Sequence, residues 1–323
     1  MPLVNEERTP RNVAAAEPPV SDASGVSRRR FLGATAALLA TGLTTDGFAI
    51  EPRRVLVSRH DVVLPGLAPR LDGLRIAQVS DVHLPANRAA GERTLALLGS
   101  ERPDIVVLTG DQCETRSAVA DLVEFAHAAR GTLATIAVLG NWDYRGGTVD
   151  RLARDAYDRA GVTLLVNSHA IVGVGDASLA FVGLDDVLSG SPSGMTAAAS
   201  LPSEVPAIWL VHEPSFADEF AVSGPAKPKL ILSGHTHGGQ IRVPGLPAFT
   251  PEGSGRFVAG WYDSLLGRLY VSRGIGTADV RARLFCPPEL PIFTLRREPS
   301  QPSAGAVHAE PAGSSTISPP ASY

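Results

Sequence analysis

Five short segments of this chain share one layout, an apolar run that ends on a side chain able to ligate a cation. They are Ser80-Asp81-Val82-His83, Gly110-Asp111, Gly140-Asn141, Val211-His212-Glu213 and Gly234-His235-Thr236-His237. Short apolar runs bounded by turn residues read as buried strands. In an α/β sheet the carboxyl ends of neighbouring strands converge on one crevice, where ligands bind. Residues far apart in the chain can therefore meet, and this demand restricts the chain to a layered α/β architecture. Asp81 and His83 are two residues apart, as are His235 and His237, and in extended backbone such pairs point to one side. Gly110, Gly140 and Gly234 allow sharp turns, and Gly238 and Gly239 allow close approach of backbone to bound ions.

The donors are carboxylate, imidazole and one amide, without thiolate, which suits Mn, Fe or Zn better than soft metals. Four of the eight histidines fall in this set. Asp111 is the expected shared ligand, because a carboxylate can bridge two ions and an imidazole cannot. Two divalent cations about 3.5–4 Å apart can clamp a phosphoryl group and hold a hydroxide for in-line attack. His60, His127, His169 and His308 lack such neighbours and read as surface or hydrogen-bonded residues.

Of the 323 residues, 44% are hydrophobic and 19% charged, an ordinary globular balance. A formal net charge of −4 gives no footprint for grasping nucleic acid, although bound cations could still attract a phosphorylated substrate. Cys113 and Cys286 make neither a disulfide framework nor a thiolate cage, and the reading leans to two unpaired thiols,.

Strands are expected at 55–64, 74–81, 104–111 and 135–141, with helices at 88–101, 118–130 and 149–160 between them. Further strands are VTLLVNS, HAIVGVG, LAFVGLD, AIWLVHE, KLILSGH and RLYVSRG. Alternating strands and helices followed by a strand-rich half predict sheets flanked by helices in one domain over 51–297. Ser189–Ser203 is a Ser/Gly/Ala/Pro-rich loop expected to shape substrate choice together with Trp142. Residues 298–323 carry almost no large apolar side chain and are expected to be disordered.

Residues 1–50 read as an address. Ser27-Arg28-Arg29-Arg30-Phe31-Leu32-Gly33, followed by the apolar run Ala34–Leu43, resembles a twin-arginine export signal. The run falls short of the ~20 residues that span a bilayer, so it reads as a signal segment with a weak cleavage site near Phe48–Ala49. The expectations are an exported protein handled by the twin-arginine machinery, periplasmic or held at the outer face of the cytoplasmic membrane.

Asp-x-His, Gly-Asp, Gly-Asn, a lone His and GHTHGGQ, in that order, resemble the calcineurin-like metallophosphoesterases over roughly Leu74–Leu295. The closing segments VSRGIGT and FCPPEL are similar to those of a bacterial, exported or membrane-associated branch. The resemblance implies a four-layer αββα sandwich. It also implies one metal on Asp81, His83, Asp111 and His237, and a second on Asp111, Asn141, His212 and His235. Asp111, Asn141 and His235 count as catalytic as well.

Where the family usually reads GNHD, this chain has Gly140-Asn141-Trp142-Asp143. The missing imidazole would act as general acid, a contribution of ~10²–10⁴-fold. Trp142 either stacks on substrate or packs at the rim, with Asp143 and Tyr144 as supporting groups, and Arg273 and Arg281 could meet phosphate oxygens. The expected function is phosphate-ester hydrolysis, diesters favoured, on a small phosphorylated or lipid-linked substrate of the UDP-diacylglucosamine type. The alternative is an exported metal- and phosphate-binding protein whose catalysis is weak or lost.

Overall fold

The computed structural model describes residues 28–219 and 227–298. Residues 1–27, His308 and nearly all of the 298–323 tail lie outside them. Helix α1 (Arg28–Thr45) forms a unit by itself up to Thr44 and exposes Leu32, Leu38 and Leu43. Among the described residues no helix is long and apolar enough to cross a membrane.

From Thr45 onward the chain is one unit. Its first segment, Asp46–Arg53, is part of that unit: Arg283 N–H donates to the Gly47 carbonyl (2.8 Å), and the buried Glu51 carboxylate accepts from Phe285 N (3.0 Å) and Cys286 N.

Twelve strands follow in chain order: β1 (Leu56–Val63), β2 (Arg75–Val79), β3 (Ile105–Thr109), β4 (Ala134–Val138), β5 (Thr163–Leu164) and β6 (Ser168–Val174). The remainder are β7 (Ala177–Gly183), β8 (Ala207–Leu210), β9 (Leu230–Ser233), β10 (Gly260–Asp263), β11 (Arg268–Val271) and β12 (Glu289–Arg296). They form two mixed six-stranded sheets, ordered β1-β12-β2-β3-β4-β5 and β10-β11-β9-β8-β7-β6. In the first, β2, β3 and β4 run parallel, with Ile76 opposite Ile105 and Val106 opposite Thr135. In the second, β7, β8 and β9 run parallel.

The side chains of β3 show how the layers form. Ile105 and Val107 face the second sheet, where they pack with Phe181, Ile208 and Leu232. Val106 and Leu108 face outward beneath α2 (Arg88–Glu101), α3 (Val119–Ala128) and α5 (Asp150–Ala160), against Leu98, Leu122 and Tyr157. A strand covered on both faces needs an unbroken apolar run, which is what IVVL supplies. Each such side chain contributes ~1.5–3 kcal/mol on burial. The outer face of the second sheet, with Trp209, Ile231 and Leu269, is covered by Phe216, Phe257 and short helical turns. That fourth layer is thin among the described residues.

The structure adds two strands that the sequence reading left out, β10 and β12. Proline removes a ladder donor and argues against a central strand, yet β12 carries Pro291 and lies between β1 and β2, parallel to the first and antiparallel to the second. Phe293 anchors it, fully buried against His60, Trp261 and Tyr270. Replacing Phe293 with alanine is expected to cost about 3–5 kcal/mol, read as a lower midpoint in urea denaturation with an unchanged slope.

Candidate metal centre

Asp81 follows β2, Asp111 follows β3, Asn141 follows β4, His212 follows β8 and His235 follows β9, so the carboxyl ends of both sheets open on one edge. All seven expected ligands are buried. They gather as two groups, Asp81 with His83 and His237, and Asp111 with His212 and His235. In the first group His83 Nε2 lies 3.0 Å from His237 Nε2, which is 3.6 Å from Asp81 Oδ1. In the second, His212 Nε2 lies 3.1 Å from Asp111 Oδ2, and Asn141 Oδ1 lies 3.2 Å from His235 Nδ1. Asp111 Oδ2 is also 3.8 Å from His83 Nε2, which places this carboxylate between the groups.

These spacings fit small divalent cations. Donors about 2.1 Å from a tetrahedral ion stand roughly 3.4 Å from one another. The tautomers fit too. His212 Nδ1 is 2.7 Å from the Thr109 carbonyl, to which it donates. Its buried Nε2 has no hydrogen-bond partner and faces Asp111. His235 Nε2 donates to the Glu252 carbonyl at 2.5 Å, which turns Nδ1 toward Asn141. His83 Nδ1 lies 3.3 Å from Glu114 Oε1. A carboxylate or carbonyl behind an imidazole is the usual device for aiming the opposite nitrogen at a metal.

The backbone corrects one expectation. Asp81, His83, Asp111, His235 and His237 all have positive φ, between 50° and 71°. They are not extended, so strand alternation does not explain how they point, and His235 and His237 fall in different ligand groups. A non-glycine residue held there costs on the order of 1–3 kcal/mol. Such strain persists only where the surroundings fix it. Asp143 is one of those fixings: its carboxylate accepts from the backbone N–H of Asp111 (3.0 Å), Gly140 (2.9 Å) and Cys113 (3.2 Å). Gly140 must be glycine, because a Cβ would overlap Asp111 Oδ1 and lie 2.7 Å from His212 Nε2.

Burial sets the charge states. It pushes the Asp143 carboxyl up to about 7, with the Asp111 charge adding to the effect. It pulls His235 down to about 4, helped by His212, and His237 well below the usual imidazole range, helped by His83 and Arg283. Both imidazoles are thus neutral, with a lone pair to offer. For His212 burial also acts downward, but the Asp111 carboxylate outweighs it and holds the imidazole well above its ordinary value.

Four of the ligands, Asp111, Asn141, His235 and His237, line a cavity of about 310 Å³ together with Trp142, Arg145, Ile241, Phe249 and Val280. Trp142 meets His83 edge-on at 5.6 Å between centroids, carries the Arg145 guanidinium over its ring at 5.3 Å, and gives its backbone N–H to Asp111 Oδ1 at 2.7 Å. Arg273 and Arg281 do not line this cavity. Arg273 pairs with Glu289 at 3.2 Å, and Arg281 takes Glu114 with both arms of its fork (3.0 and 2.6 Å), so nearby carboxylates occupy both guanidiniums. Leu188 lines the cavity but the loop 189–203 does not; segments 239–252 and 278–280 shape it instead.

Glu114, Arg145 and Arg283 were not singled out by sequence reasoning. Arg283 is fully buried and donates to the carbonyls of Gly276, Cys286 and Arg273, which clasps the loops beneath His237. Cys113 and Cys286 are buried free thiols. His60, His127 and His169 are hydrogen-bonded away from the centre.

The family model described as calcineurin-like phosphoesterase superfamily domain matches residues 74–254, which contain all five ligand segments. The chain belongs to this superfamily. Its members are metal-dependent, and the two ligand groups are the matching feature here. The Bacillus subtilis metallophosphoesterase YkuE is 30% identical over 290 residues, covering 84% of this chain and 98% of its own. The Escherichia coli phosphodiesterase YaeI is 31% identical over 289 residues, with 84% and 99% covered. The Chlamydia muridarum UDP-2,3-diacylglucosamine pyrophosphatase LpxG is 27% identical over 335 residues, with 83% and 99% covered.

Replacing Gly140 with alanine is expected to lower bound metal to well under half of the native content while leaving the fold intact. Elemental analysis beside a far-ultraviolet circular dichroism spectrum checks both parts.

Proposed function

We propose that this chain is a binuclear metal-dependent phosphoesterase that prefers diesters, with one arm of the substrate apolar or lipid-linked. The observation that carries the reading is the pair of buried ligand groups hinged on Asp111, which opens through Asp111, His235 and His237 on a cavity lined also by Ile241, Phe249 and Val280. Two divalent cations, when bound there, supply Lewis-acid neutralisation of the phosphoryl oxygens and a water acidified for attack. Asp81, His83, Asp111 and His237 would hold one, and Asp111, Asn141, His212 and His235 the other.

The remaining work falls to the chain's own side chains. The Trp142 N–H fixes Asp111, and Asp143 fixes the two turns that carry Asp111 and Asn141. Arg145 is the guanidinium in the cavity lining, and a planar fork suits phosphate oxygens. The apolar wall suits an acyl or aromatic arm, in keeping with the pyrophosphatase and phosphodiesterase names of two relatives. The SRRRFLG motif supports an exported enzyme carried by the twin-arginine route and acting outside the cytoplasm.

A second reading rests on Trp142. Its indole N–H can donate a hydrogen bond but cannot supply a proton, which favours either substrates with good leaving groups or a binding protein with weak catalysis. Apo protein reloaded with Mn, Fe, Zn or Mg and given p-nitrophenyl mono- and diesters separates the two. Hydrolysis that is faster on diesters and abolished by chelation is expected; bound metal without turnover on any ester would select the binding role.

Trp142→His is expected to raise turnover on esters with poor leaving groups by one to two orders of magnitude, within the range for general acid catalysis (~10²–10⁴-fold). Rates on a series of phenyl phosphodiesters check this, and an unchanged dependence on leaving-group pKa would count against it.

A further inference from the structure

We propose that the rim of the metal cavity is a membrane-docking surface, which seats the open cavity on a bilayer carrying anionic head groups. The proposal deepens the phosphoesterase reading, on which it rests for its purpose, but the docking itself stands on separate observations.

Three segments are fastened side by side, and two of them, 240–249 and 278–286, reach into the cavity lining. Arg242 N donates to the Leu284 carbonyl (2.8 Å) and Leu284 N to the Gln240 carbonyl (3.1 Å), joining 240–249 to 278–286. Arg283 N to Gly47 O (2.8 Å) and Phe285 N to Glu51 Oε2 (3.0 Å) join 278–286 to Asp46–Arg53. Each segment turns large apolar side chains to solvent. The first offers Ile241, Val243, Leu246 and Phe249, the second Val280 and Phe285, the third Phe48 and Ile50. These are eight of the fourteen exposed large hydrophobics among the described residues from Thr45 onward. Single exposed hydrophobics are ordinary, whereas a contiguous group marks an interaction surface.

The group is built to stay outside. Leu246, 67% exposed, sits on a turn closed by its N–H to the Val243 carbonyl (3.0 Å) with Pro244 and Pro247 on either side, and Phe249 is 86% exposed. The same segments carry exposed Arg53, Arg54 and Arg242, and the carboxylates of Asp46 and Asp279. Apolar tips mixed with arginines match the headgroup–acyl boundary of an anionic leaflet.

Three features favour a bilayer over a protein partner. Ile241, Phe249 and Val280 are exposed and also line the cavity that Asp111, Asn141, His235 and His237 line, so the rim and the ligand site share one opening. A protein seated there would close the cavity, whereas a bilayer would feed it amphiphilic phosphate esters from the side. The rim also contains the segment that continues directly from α1, whose Arg28, Arg29, Leu32, Leu38 and Leu43 are exposed.

The test places an environment-sensitive fluorophore on the full chain at Leu246→Cys and, separately, at Leu133→Cys, which precedes β4 at the opposite ends of the parallel strands; both native thiols are buried. On vesicles of phosphatidylcholine with phosphatidylglycerol, the label at 246 is expected to brighten several-fold and shift to the blue, and the label at 133 to stay unchanged. Adding Phe48→Ser and Val243→Ser should reduce the response at limiting lipid on the order of tenfold, with metal content and hydrolysis of a soluble p-nitrophenyl ester unchanged. A label at 246 that remains in water on vesicle-bound protein overturns the proposal, since α1 alone would then account for binding. So does an equal response at both positions, or a response to rising protein concentration without lipid, which would make a second copy the occupant. Failure of the phosphoesterase reading would leave the fluorescence untouched, so the two are told apart.

Discussion

A carboxylate buried among strand ends needs positive partners around it, and the whole centre is organised by how Asp111 obtains them. One of its oxygens faces His212 and, more distantly, His83; the other accepts the Trp142 N–H. Because these partners come from β2, β4 and β8, neutralising this one charge requires both sheets to end at the same edge. The core between the sheets, with the helix-covered core behind the first sheet, is firm enough to keep five ligands in left-handed backbone. Rigid burial of that kind preorganises a site, since little has to move when a charged group arrives.

The parts legible in the sequence were those fixed by local chemistry. Apolar runs marked β2, β3, β4, β8 and β9, because burial on both faces favours apolar side chains, the buried Gln78 of β2 being satisfied by Thr109 and Ser233. The spacing of Leu95 and Leu98 with Pro103 beyond them located α2, and the ligands showed themselves by residue type at the strand ends. β12 was hidden because Pro291 contradicts the local rule for a central strand, and only the long-range pairing with β1 and β2 overrides it. The direction of Asp81 and His83 was hidden because it depends on positive φ, which residue spacing does not encode.

Arginines proved hardest to place. A guanidinium on a late loop can reach phosphate or a neighbouring carboxylate, and the sequence does not say which is nearer. Glu289 and Glu114 stand beside Arg273 and Arg281 and take them. Arg145, three residues beyond Trp142, lies in the cavity, while Arg283 works beneath it, spending its donors on carbonyls. The cavity wall behaved in the same way: apolar residues after the GHTHGGQ element line it, although as text they resemble any surface loop.

The attachment of Asp46–Arg53 reaches further than its size suggests. Gly47 supplies the carbonyl that holds the Arg283 backbone, and Glu51 ties down the two residues before Pro287. A peptidase cutting between Phe48 and Ala49 would release Gly47 and so slacken the strap under His237. The cut that the SRRRFLG reading would place at Phe48–Ala49 thus falls inside a segment that already braces the cation cradle.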